Sequence, residues 1–439
     1  MKFDKIKEKI ILKDGIYYFD YTASGLAYKP IEDEIQRVLK TYSNIHSDTS
    51  QLAKITNEYY DRAREGLKNL LEVDTNKFYL ISCGFGATAA IKKFQEIMGI
   101  YLPPKTREIL GIDKSTFKNL PLVIISPYEH HSNDISYRAG LCEVVRLPLN
   151  EKGLVDFDEL DKILITNKGR KIIAAFSVAS NVTGIITEYK KLYLKIKLYG
   201  GIVALDATAC LAYMNVDCAF YDVMFASSHK LLGGVGGSGI LVIRKSLCDI
   251  DEPTFAGGGT VRYVSRSEVI YHLDKEELEE AGTPGITQLL RAYLAFKLRN
   301  DIGLENIRQK EVELSEYLLE KFLNIDDIKL FAKDIPLENK LAILSFNVKG
   351  FNPYDFAAYL SQKYFIETRA GCACAGPYTH DLMGKDDGVD YQNGEKPSFI
   401  RISLHYTHTK DDIDYLVRAI KEVIKKRGQF KHTNSNWRC

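Results

Sequence analysis

The segment Ala226-Ser227-Ser228-His229-Lys230-Leu231-Leu232-Gly233-Gly234 places a lysine directly after a short apolar run with the composition of a strand. Most lysines lie in solvent, where this one would simply cap a loop. At the end of a buried strand, however, its ammonium group would lose hydration and its pKa would fall. The neutral amine could then form a Schiff base. The segment therefore predicts a reactive lysine, Lys230, at the edge of a sheet.

An aspartate follows the apolar run one predicted strand earlier in the chain. The run 202–205 ends at Asp206. In open α/β sheets, ligands bind beyond the carboxyl ends of the strands, so Asp206 and Lys230 are expected at one edge. An aspartate facing a pyridinium nitrogen is what pyridoxal phosphate needs in order to withdraw electrons. The two residues together indicate a pyridoxal phosphate site.

The wider pattern predicts an α/β fold in two parts. Between residues 77 and 245, β-rich runs alternate with helical patterns, which is typical of a mostly parallel wound sheet covered on both faces. Beyond about residue 290, long charged helices are followed by a strand, a helix and a strand. We expect a large cofactor-binding domain over 18–290 and a smaller α+β domain built from 1–17 and 291–439. The predicted sheet strands are 78–82, 122–126, 143–147, 172–178, 202–205, 223–226 and 240–243.

Helices and insertions complete this outline. A last helix is expected to begin at Thr409, where Asp412 completes a capping box. Two segments, 101–120 and 379–398, have the composition of insertions. The other predicted helices are 88–98, 188–199, 286–300, 304–323 and 353–362, and the strands of the small domain are 342–348 and 399–404.

Composition narrows the class of protein. The chain has 439 residues, with 59 Lys and Arg against 58 Asp and Glu, so its net charge of +1 argues against nucleic acid or anionic lipid as a partner. The longest uncharged run, 172–187, is shorter than the roughly 20 apolar residues that span a bilayer. The eight cysteines lack the spacing of a disulfide scaffold, and residues 1–15 lack a signal-peptide pattern. We therefore expect reduced thiols and a cytoplasmic location.

A glycine-containing link, Gly84-Phe85-Gly86-Ala87-Thr88-Ala89, joins a predicted strand to a predicted helix. Backbone N–H groups at such a helix start bind phosphate. The same letters fit the G-x-G-x-x-A fingerprint of dinucleotide sites, which also needs an acidic residue about 20 positions later at the end of a strand. Here that window, 102–108, has no strand pattern. A nicotinamide or flavin cofactor remains an alternative.

Several motifs, taken in order, resemble the class V, fold-type I pyridoxal phosphate enzymes. Within that class, the chain is most similar to the group of cysteine desulfurases and selenocysteine lyases. The resemblance runs from about Tyr18 to the last helix. The matching motifs are Tyr128-Glu129-His130-His131-Ser132-Asn133, Ser180-Asn181-Val182-Thr183-Gly184, the Asp206 strand, Ser227-Ser228-His229-Lys230, Ala281-Gly282-Thr283-Pro284 and Arg369-Ala370-Gly371-Cys372-Ala373-Cys374-Ala375.

The resemblance implies a role for each matching residue. Lys230 would carry the cofactor and Asp206 would pair with its pyridine nitrogen. The remaining cofactor-binding residues would be His130 stacked on the ring, Asn181 near its 3′ oxygen, and Gly86, Ala87, Thr88, Ser227, His229 and Thr283 around the phosphate. Thr283 would come from a neighbouring subunit, which implies a homodimer. Taken singly, His130 could be a core histidine, and Thr88 or Thr283 a helix cap.

The resemblance also assigns the substrate site, in which no metal is expected. Cys374 would be the nucleophile, Arg401 would bind the substrate carboxylate, and His46 would be a further substrate-binding residue. A guanidinium group suits a bidentate carboxylate. The alternatives are a structural ion pair for Arg401 and a small buried apolar role for the cysteine. A metal site of Cys372, Cys374 and His380 lacks the spacing of standard zinc sites.

The implied activity is conversion of L-cysteine to L-alanine, with the sulfur kept as a persulfide for an acceptor protein. Selenocysteine cleavage, class V aminotransfer or epimerisation would share the cofactor residues, and a catalytically silent sulfur-relay protein is a further alternative. The chain departs from the family pattern in four ways: Ala209 where Gln is usual, Cys372 close to Cys374, Ser228 in place of Gly, and the insertion at 379–398.

Overall fold

The apolar runs form a seven-stranded sheet at the centre of the computed structural model, which describes residues 3–386 and 396–427. Strands are numbered along the described chain. They are β1 (Ile10–Ile11), β2 (Tyr17–Tyr18), β3 (Ala27–Tyr28), β4 (Phe78–Cys83), β5 (Leu122–Ile125), β6 (Glu143–Arg146), β7 (Ile172–Ser177), β8 (Ile202–Asp206), β9 (Val223–Ser227), β10 (Gly239–Arg244), β11 (Val261–Val264), β12 (Val269–Tyr271), β13 (Ile328–Leu330), β14 (Ile343–Val348), β15 (Ile366–Glu367), β16 (Arg369–Gly371) and β17 (Phe399–Ser403).

The helices of the described chain are numbered in the same way. They are α1 (Phe3–Lys7), α2 (Lys29–Leu39), α3 (Gln51–Leu70), α4 (Gly86–Ile97), α5 (Pro104–Ile109), α6 (His131–Ala139), α7 (Phe157–Thr166), α8 (Tyr189–Lys197), α9 (Lys275–Leu278), α10 (Ile286–Ile302), α11 (Leu304–Leu323), α12 (Pro353–Tyr364), α13 (Gly376–Met383) and α14 (Lys410–Lys425).

The central sheet has the order β4-β10-β9-β8-β7-β5-β6. Strand β10 is antiparallel to both of its neighbours, and the other pairs are parallel. All seven predicted strands are present, with ends shifted by one residue. The predicted mostly parallel α/β fold is therefore confirmed.

Alternating side chains bury both faces of this sheet. Leu205 and Met224 pack into the core on one face, whereas Ala204 and Phe225 pack into the core on the other. Burial on both faces explains why the strands appear as continuous apolar runs rather than as alternating patterns.

A second, smaller sheet has the order β13-β14-β17-β16 and carries its own core with α11, α12 and α14. Helix α14 begins with the predicted capping box, in which Thr409 and Asp412 exchange side-chain to backbone hydrogen bonds. The predicted domain limit at 290 falls inside α10, whose Leu289 and Phe296 belong to the larger core. The domain limits stay a prediction, and this packing favours a break after α10.

The two predicted insertions differ in how far the structure describes them. Segment 101–120 contains α5 and a short 3-10 turn at Lys114–Thr116. Segment 379–398 begins inside α13, and residues 387–395 lie outside the described residues, as does Cys439. Within the described parts of the chain, no helix is both long enough and apolar enough to cross a membrane.

Candidate active site

Three neighbouring strands end at one cavity. Strands β7, β8 and β9 finish at Ser177, Asp206 and Ser227, and their parallel register brings these ends together. A cavity of about 260 Å³ opens beyond them. The predicted site residues that line it are Gly86, Ala87, Thr88, His130, Asn181, Asp206, Ser227, His229, Lys230, Cys374 and Arg401.

Lys230 and Asp206 occupy the floor of this cavity. Burial, together with the positive charge of Arg401, lowers the pKa of Lys230 to about 8, although Asp206 partly opposes the change. Burial also raises the pKa of Asp206, whereas hydrogen bonds from Thr208 and the charge of Lys230 oppose that rise. A lysine with this pKa is partly a neutral amine near neutral pH, as a Schiff-base lysine must be.

The glycine-containing link forms a tight corner at the start of α4. The N–H of Ala87 donates to Ser227 Oγ over 2.7 Å. Gly86 has a φ of +66°, and a Cβ there would lie 2.9 Å from Ser227 Oγ and 3.1 Å from His229 Cε1. A side chain at 86 would therefore be strained, and residues Gly86, Ala87 and Thr88 of this helix start line the cavity.

His130 lines the cavity and also begins α6. Its Nδ1 accepts the N–H of Ser132 over 3.1 Å, so the side chain caps the helix. Burial, with a smaller effect of Lys230, lowers the pKa of His130 to about 3. The imidazole is therefore neutral, which suits contact with an aromatic ring.

Cys374 enters the cavity on a tight turn, residues 372–375, which we call the cysteine turn. Both central residues have positive φ, 50° at Ala373 and 58° at Cys374. A residue with a Cβ is disfavoured there by about 1–2 kcal/mol, so surrounding contacts must hold the turn. Cys374 is half-buried, whereas Cys372 is 5% exposed. Of the two thiols, Cys374 is the one that faces the site.

Arg401 is buried, and its guanidinium group is already held on two sides. One nitrogen donates to Asp20 Oδ1 over 2.6 Å, and another donates to the backbone oxygen of Asn181 over 2.9 Å. Nε of Arg401 is buried without a partner among the described residues. The structural ion pair considered from the sequence therefore exists, and the same guanidinium also lines the cavity.

Two predicted residues lie away from this cavity. Thr283 is exposed, and the adjacent Pro284 lines a second cavity of about 670 Å³ together with His46. A Cβ added at Gly259, just before β11, would lie 3.1 Å from His46 Cε1. Within a single chain, the structure does not bring Thr283 or His46 to the cavity that contains Lys230.

The residues present fit pyridoxal phosphate. The cavity offers a low-pKa lysine, a buried aspartate and a glycine corner at a helix start. In addition, Asn181 Oδ1 and Thr208 Oγ1 are buried without a partner in the described chain. Buried polar atoms normally have partners, and a polar ring substituent would supply one.

Alternative chemistries find less support in this geometry. No group of three or more His, Cys, Asp or Glu side chains among the described residues is arranged to hold a metal ion. The helix after the glycine link is followed by α5 and a 3-10 turn, so the acidic window of a dinucleotide site at 102–108 does not end a strand.

No sequence pattern predicts the contacts made by Asp20 and His131. Asp20 pairs with Arg401, and His131 contacts the chain at Cys374 and again at Gly376, directly after the cysteine turn. Asp20 follows the short aromatic strand β2, and a charged residue after such a strand is only a weak signal. His131 belongs to the motif at 128–133, but only the fold shows what it contacts.

Fold and cavity together define a class of protein: an α/β protein with a lysine and an aspartate at adjacent strand ends of a wound sheet. The chain matches the family described as "Aminotransferase class-V" over residues 17–416. It belongs to that family. Class V aminotransferases depend on pyridoxal phosphate, so the predicted family and cofactor are confirmed.

Relatives and solved structures cover nearly the whole chain. A probable cysteine desulfurase of Pyrococcus abyssi is 26% identical over 96% of this chain and 98% of its own. One from Staphylococcus epidermidis is 26% identical over 95% and 94%. A solved cysteine desulfurase of Thermococcus onnurineus superimposes with a TM-score of 0.80 at 24% identity, covering 96% of this chain and 98% of that one. One from Escherichia coli gives 0.78 at 21% identity, with 97% and 99% covered. The structural matches confirm the fold.

Proposed function

We propose that this protein is a cysteine desulfurase that converts L-cysteine to L-alanine and keeps the sulfur as a persulfide on Cys374. The observation that carries the proposal is that Cys374 lines the same cavity as Lys230 and Asp206. A thiol is not needed for transamination or epimerisation, whereas desulfuration needs one beside the substrate. The names of the relatives from Pyrococcus abyssi and Staphylococcus epidermidis support the same activity.

The cavity residues divide into those that hold the cofactor and those that hold the substrate. Lys230, Asp206, His130 and Asn181 would surround the ring, while the corner at Gly86 to Thr88, with Ser227 and His229, would hold the phosphate. When bound, pyridoxal phosphate supplies electron withdrawal that makes the Cα proton of an amino acid removable. Asp206 would support this by pairing with the pyridine nitrogen of the ring.

The substrate steps then follow from the chain's own groups. Arg401 binds the cysteine carboxylate, and Lys230, once it is a free amine, takes the Cα proton. The Cys374 thiolate forms a bond to the substrate Sγ as the Cβ–Sγ bond breaks. The electron pair of that bond stays with Cβ, which takes up a proton, and Lys230 returns a proton to Cα. L-cysteine and the Cys374 thiol thus become L-alanine and a Cys374 persulfide, with no outside oxidant or reductant.

A homodimer accounts for the two residues that lie away from the cavity. Thr283 would complete the phosphate site of the partner, and His46 lies beside the start of the β11–β12 hairpin. That hairpin exposes large apolar side chains, among them Tyr263, Val264 and Ile270. A second copy of the chain is the occupant we propose for this apolar surface. A protein that accepts the sulfur and a cytoplasmic location also stay part of the proposal.

The test begins with purified protein loaded with cofactor and incubated with L-cysteine. We expect alanine and a persulfide that peptide mass spectrometry maps to Cys374. Cys374→Ser should lower alanine formation by at least about 100-fold while leaving the cofactor absorbance intact, because only the nucleophile is removed. Cys372→Ser should leave the persulfide on Cys374. Full-rate alanine formation by Cys374→Ser would overturn the proposed nucleophile, and cysteine transamination without alanine would indicate another class V reaction.

A further inference from the structure

The cysteine turn adopts a backbone conformation that its own residues disfavour. The N–H of Ala375 donates to the carbonyl oxygen of Cys372 over 3.0 Å, and both residues between them have positive φ. Turns of this kind normally carry Asn or Gly at the central positions, yet here they carry Ala373 and Cys374. Contacts from outside the turn must therefore keep Cys374 in place.

Besides Thr379 of α13, whose Oγ1 donates to the carbonyl oxygen of Ala375 over 2.9 Å, Asn181 and His131 supply those contacts. Asn181 Nδ2 donates to the carbonyl oxygen of Ala373 over 2.8 Å. The backbone N–H of His131 donates to the carbonyl oxygen of Cys374 over 2.7 Å. The N–H of Gly376 in turn donates to His131 Nε2 over 3.0 Å. His131 thus binds the chain at Cys374 itself and again two residues later.

His131 is well placed to act as a rigid support. It is the first residue of α6 and directly follows His130. The imidazole of His130 therefore reaches the cofactor cavity, and the adjacent imidazole of His131 reaches the end of the cysteine turn. The same helix is anchored below, because Asn133 Nδ2 donates to the buried Glu129 carboxylate over 2.7 Å. A displacement of the cysteine turn would therefore have to break the hydrogen bonds of His131, which belongs to the anchored helix α6.

The side-chain contact needs a neutral imidazole, because Nε2 accepts the N–H of Gly376. Burial lowers the pKa of His131 below its usual 6.5, although Asp134 opposes the change. The acceptor is therefore available at neutral pH, and the hydrogen bond agrees with this protonation state.

We propose that His131 is a positioning residue that holds the cysteine turn so that Cys374 meets the substrate sulfur. The inference rests on the proposed function, in which Cys374 is the nucleophile. His131 itself touches neither the substrate nor the reacting atoms. Its effect should therefore fall on the rate of sulfur transfer and not on cysteine binding, which belongs to Arg401.

The first test compares substitutions that keep or remove the acceptor. His131→Leu keeps bulk without an acceptor, and His131→Gln places an amide oxygen near the position of Nε2. We expect His131→Leu to lower kcat about tenfold with KM within about twofold, and His131→Gln to recover most of the rate. His131→Asn, whose amide is too short to reach Gly376, should behave like His131→Leu and serves if the leucine variant folds poorly. Equal kcat in all variants would overturn the proposal.

A second readout does not depend on activity. With cofactor-loaded protein and no cysteine, the rate at which a bulky maleimide alkylates Cys374 should rise severalfold in His131→Leu and return in His131→Gln. His380→Leu is the matched control, because His380 lies on α13 after the turn and its ring contacts Asp386. Unchanged alkylation in His131→Leu would overturn the positioning role. If the alkylation rates differ as expected but the wild-type protein forms no persulfide, the proposed function fails and the positioning role of His131 stands. The two results are separable because alkylation does not require the desulfurase reaction.

Discussion

At the residue scale, the protonation state of Lys230 decides whether its amine can attach the cofactor. Its amine lies among the carboxyl groups of Asp206 and Asp20, the guanidinium group of Arg401 and the thiol of Cys374, each of which shifts the pKa of the lysine. Burial is the largest effect, because removal from water destabilises the charged ammonium form relative to the neutral amine. Arg401 strengthens the shift, and Asp206 limits it.

This balance leads to a pH prediction for the cofactor-free protein. Below a pH of about 8, Lys230 is mostly an ammonium group and cannot attach pyridoxal phosphate; above it, the amine is free. Borohydride trapping followed by peptide mapping should show attachment at Lys230 rising with a midpoint near pH 8 instead of the usual 10.5.

Two variants check the cause of that midpoint. Arg401→Gln removes a positive charge, so the midpoint should move to higher pH. Asp206→Asn removes the opposing negative charge, so the midpoint should move to lower pH. A midpoint that stays near 10.5 in every form would mean that Lys230 is hydrated and would remove the physical basis of its assigned role.

The sequence predicted which residues form the site better than it predicted which residues they contact. Lys230 and Asp206 follow apolar strands, so their common edge can be inferred from parallel topology alone. The ion pair between Asp20 and Arg401 joins residues far apart in the chain, and no local pattern marks it.

At the element scale, residues 20–25 connect Arg401 to the segment 229–231 that carries Lys230. Asp20 pairs with Arg401, and five residues later the N–H of Gly25 donates to the carbonyl oxygen of His229 over 2.8 Å. A Cβ at Gly25 would lie only 2.1 Å from the carbonyl oxygen of Leu231. The segment can approach Lys230 this closely only because residue 25 has no side chain.

Gly25→Ala should therefore disturb the lysine segment. The clash is with backbone, which cannot rotate away, so we expect a loss of about 1–3 kcal/mol in unfolding free energy and weaker cofactor binding. Thermal melting and cofactor titration measure the two effects. Gly258→Ala is the control, because a Cβ there meets nothing within 4 Å. Equal cofactor affinity in Gly25→Ala and the control would contradict the close-approach argument.

The boundaries of the elements followed from local rules wherever those rules were strong. The capping box at Thr409 placed the start of α14 correctly, and the buried strands were correct to within one residue. Helix α4 begins at Gly86 and not at Thr88, and the Ala87 N–H in its first turn donates to Ser227 Oγ, a contact that local sequence rules do not predict.

At the scale of the whole molecule, one chain supplies eleven predicted residues to the cavity, but Thr283 and His46 lie elsewhere. A homodimer in which Thr283 reaches the partner's phosphate site would reconcile this arrangement with the assigned roles. The exposed β11–β12 hairpin offers an apolar surface for such a contact.

Mixed dimers test directly whether Thr283 of one subunit completes the phosphate site of the other. Lys230→Ala and Thr283→Ala each impair a homodimer. In a mixed dimer, however, the subunit that keeps Lys230 would receive Thr283 from its partner, which restores one intact site. We expect about half of the wild-type activity per mixed dimer, measured after tandem purification of differently tagged chains. Mixed dimers no more active than the Thr283→Ala homodimer would show that Thr283 acts within its own chain.

The sequence alone determined the wound sheet, the paired lysine and aspartate, the glycine corner and the family, because these depend on local periodicity and on ordered motifs. Tertiary structure alone decided which of the two loop thiols faces the cavity, how Asp20 holds Arg401, and how His131 supports the cysteine turn. Those contacts join segments up to 381 residues apart, and their existence depends on packing between the two cores. Such packing is a property of the folded chain, and no short stretch of residues contains it.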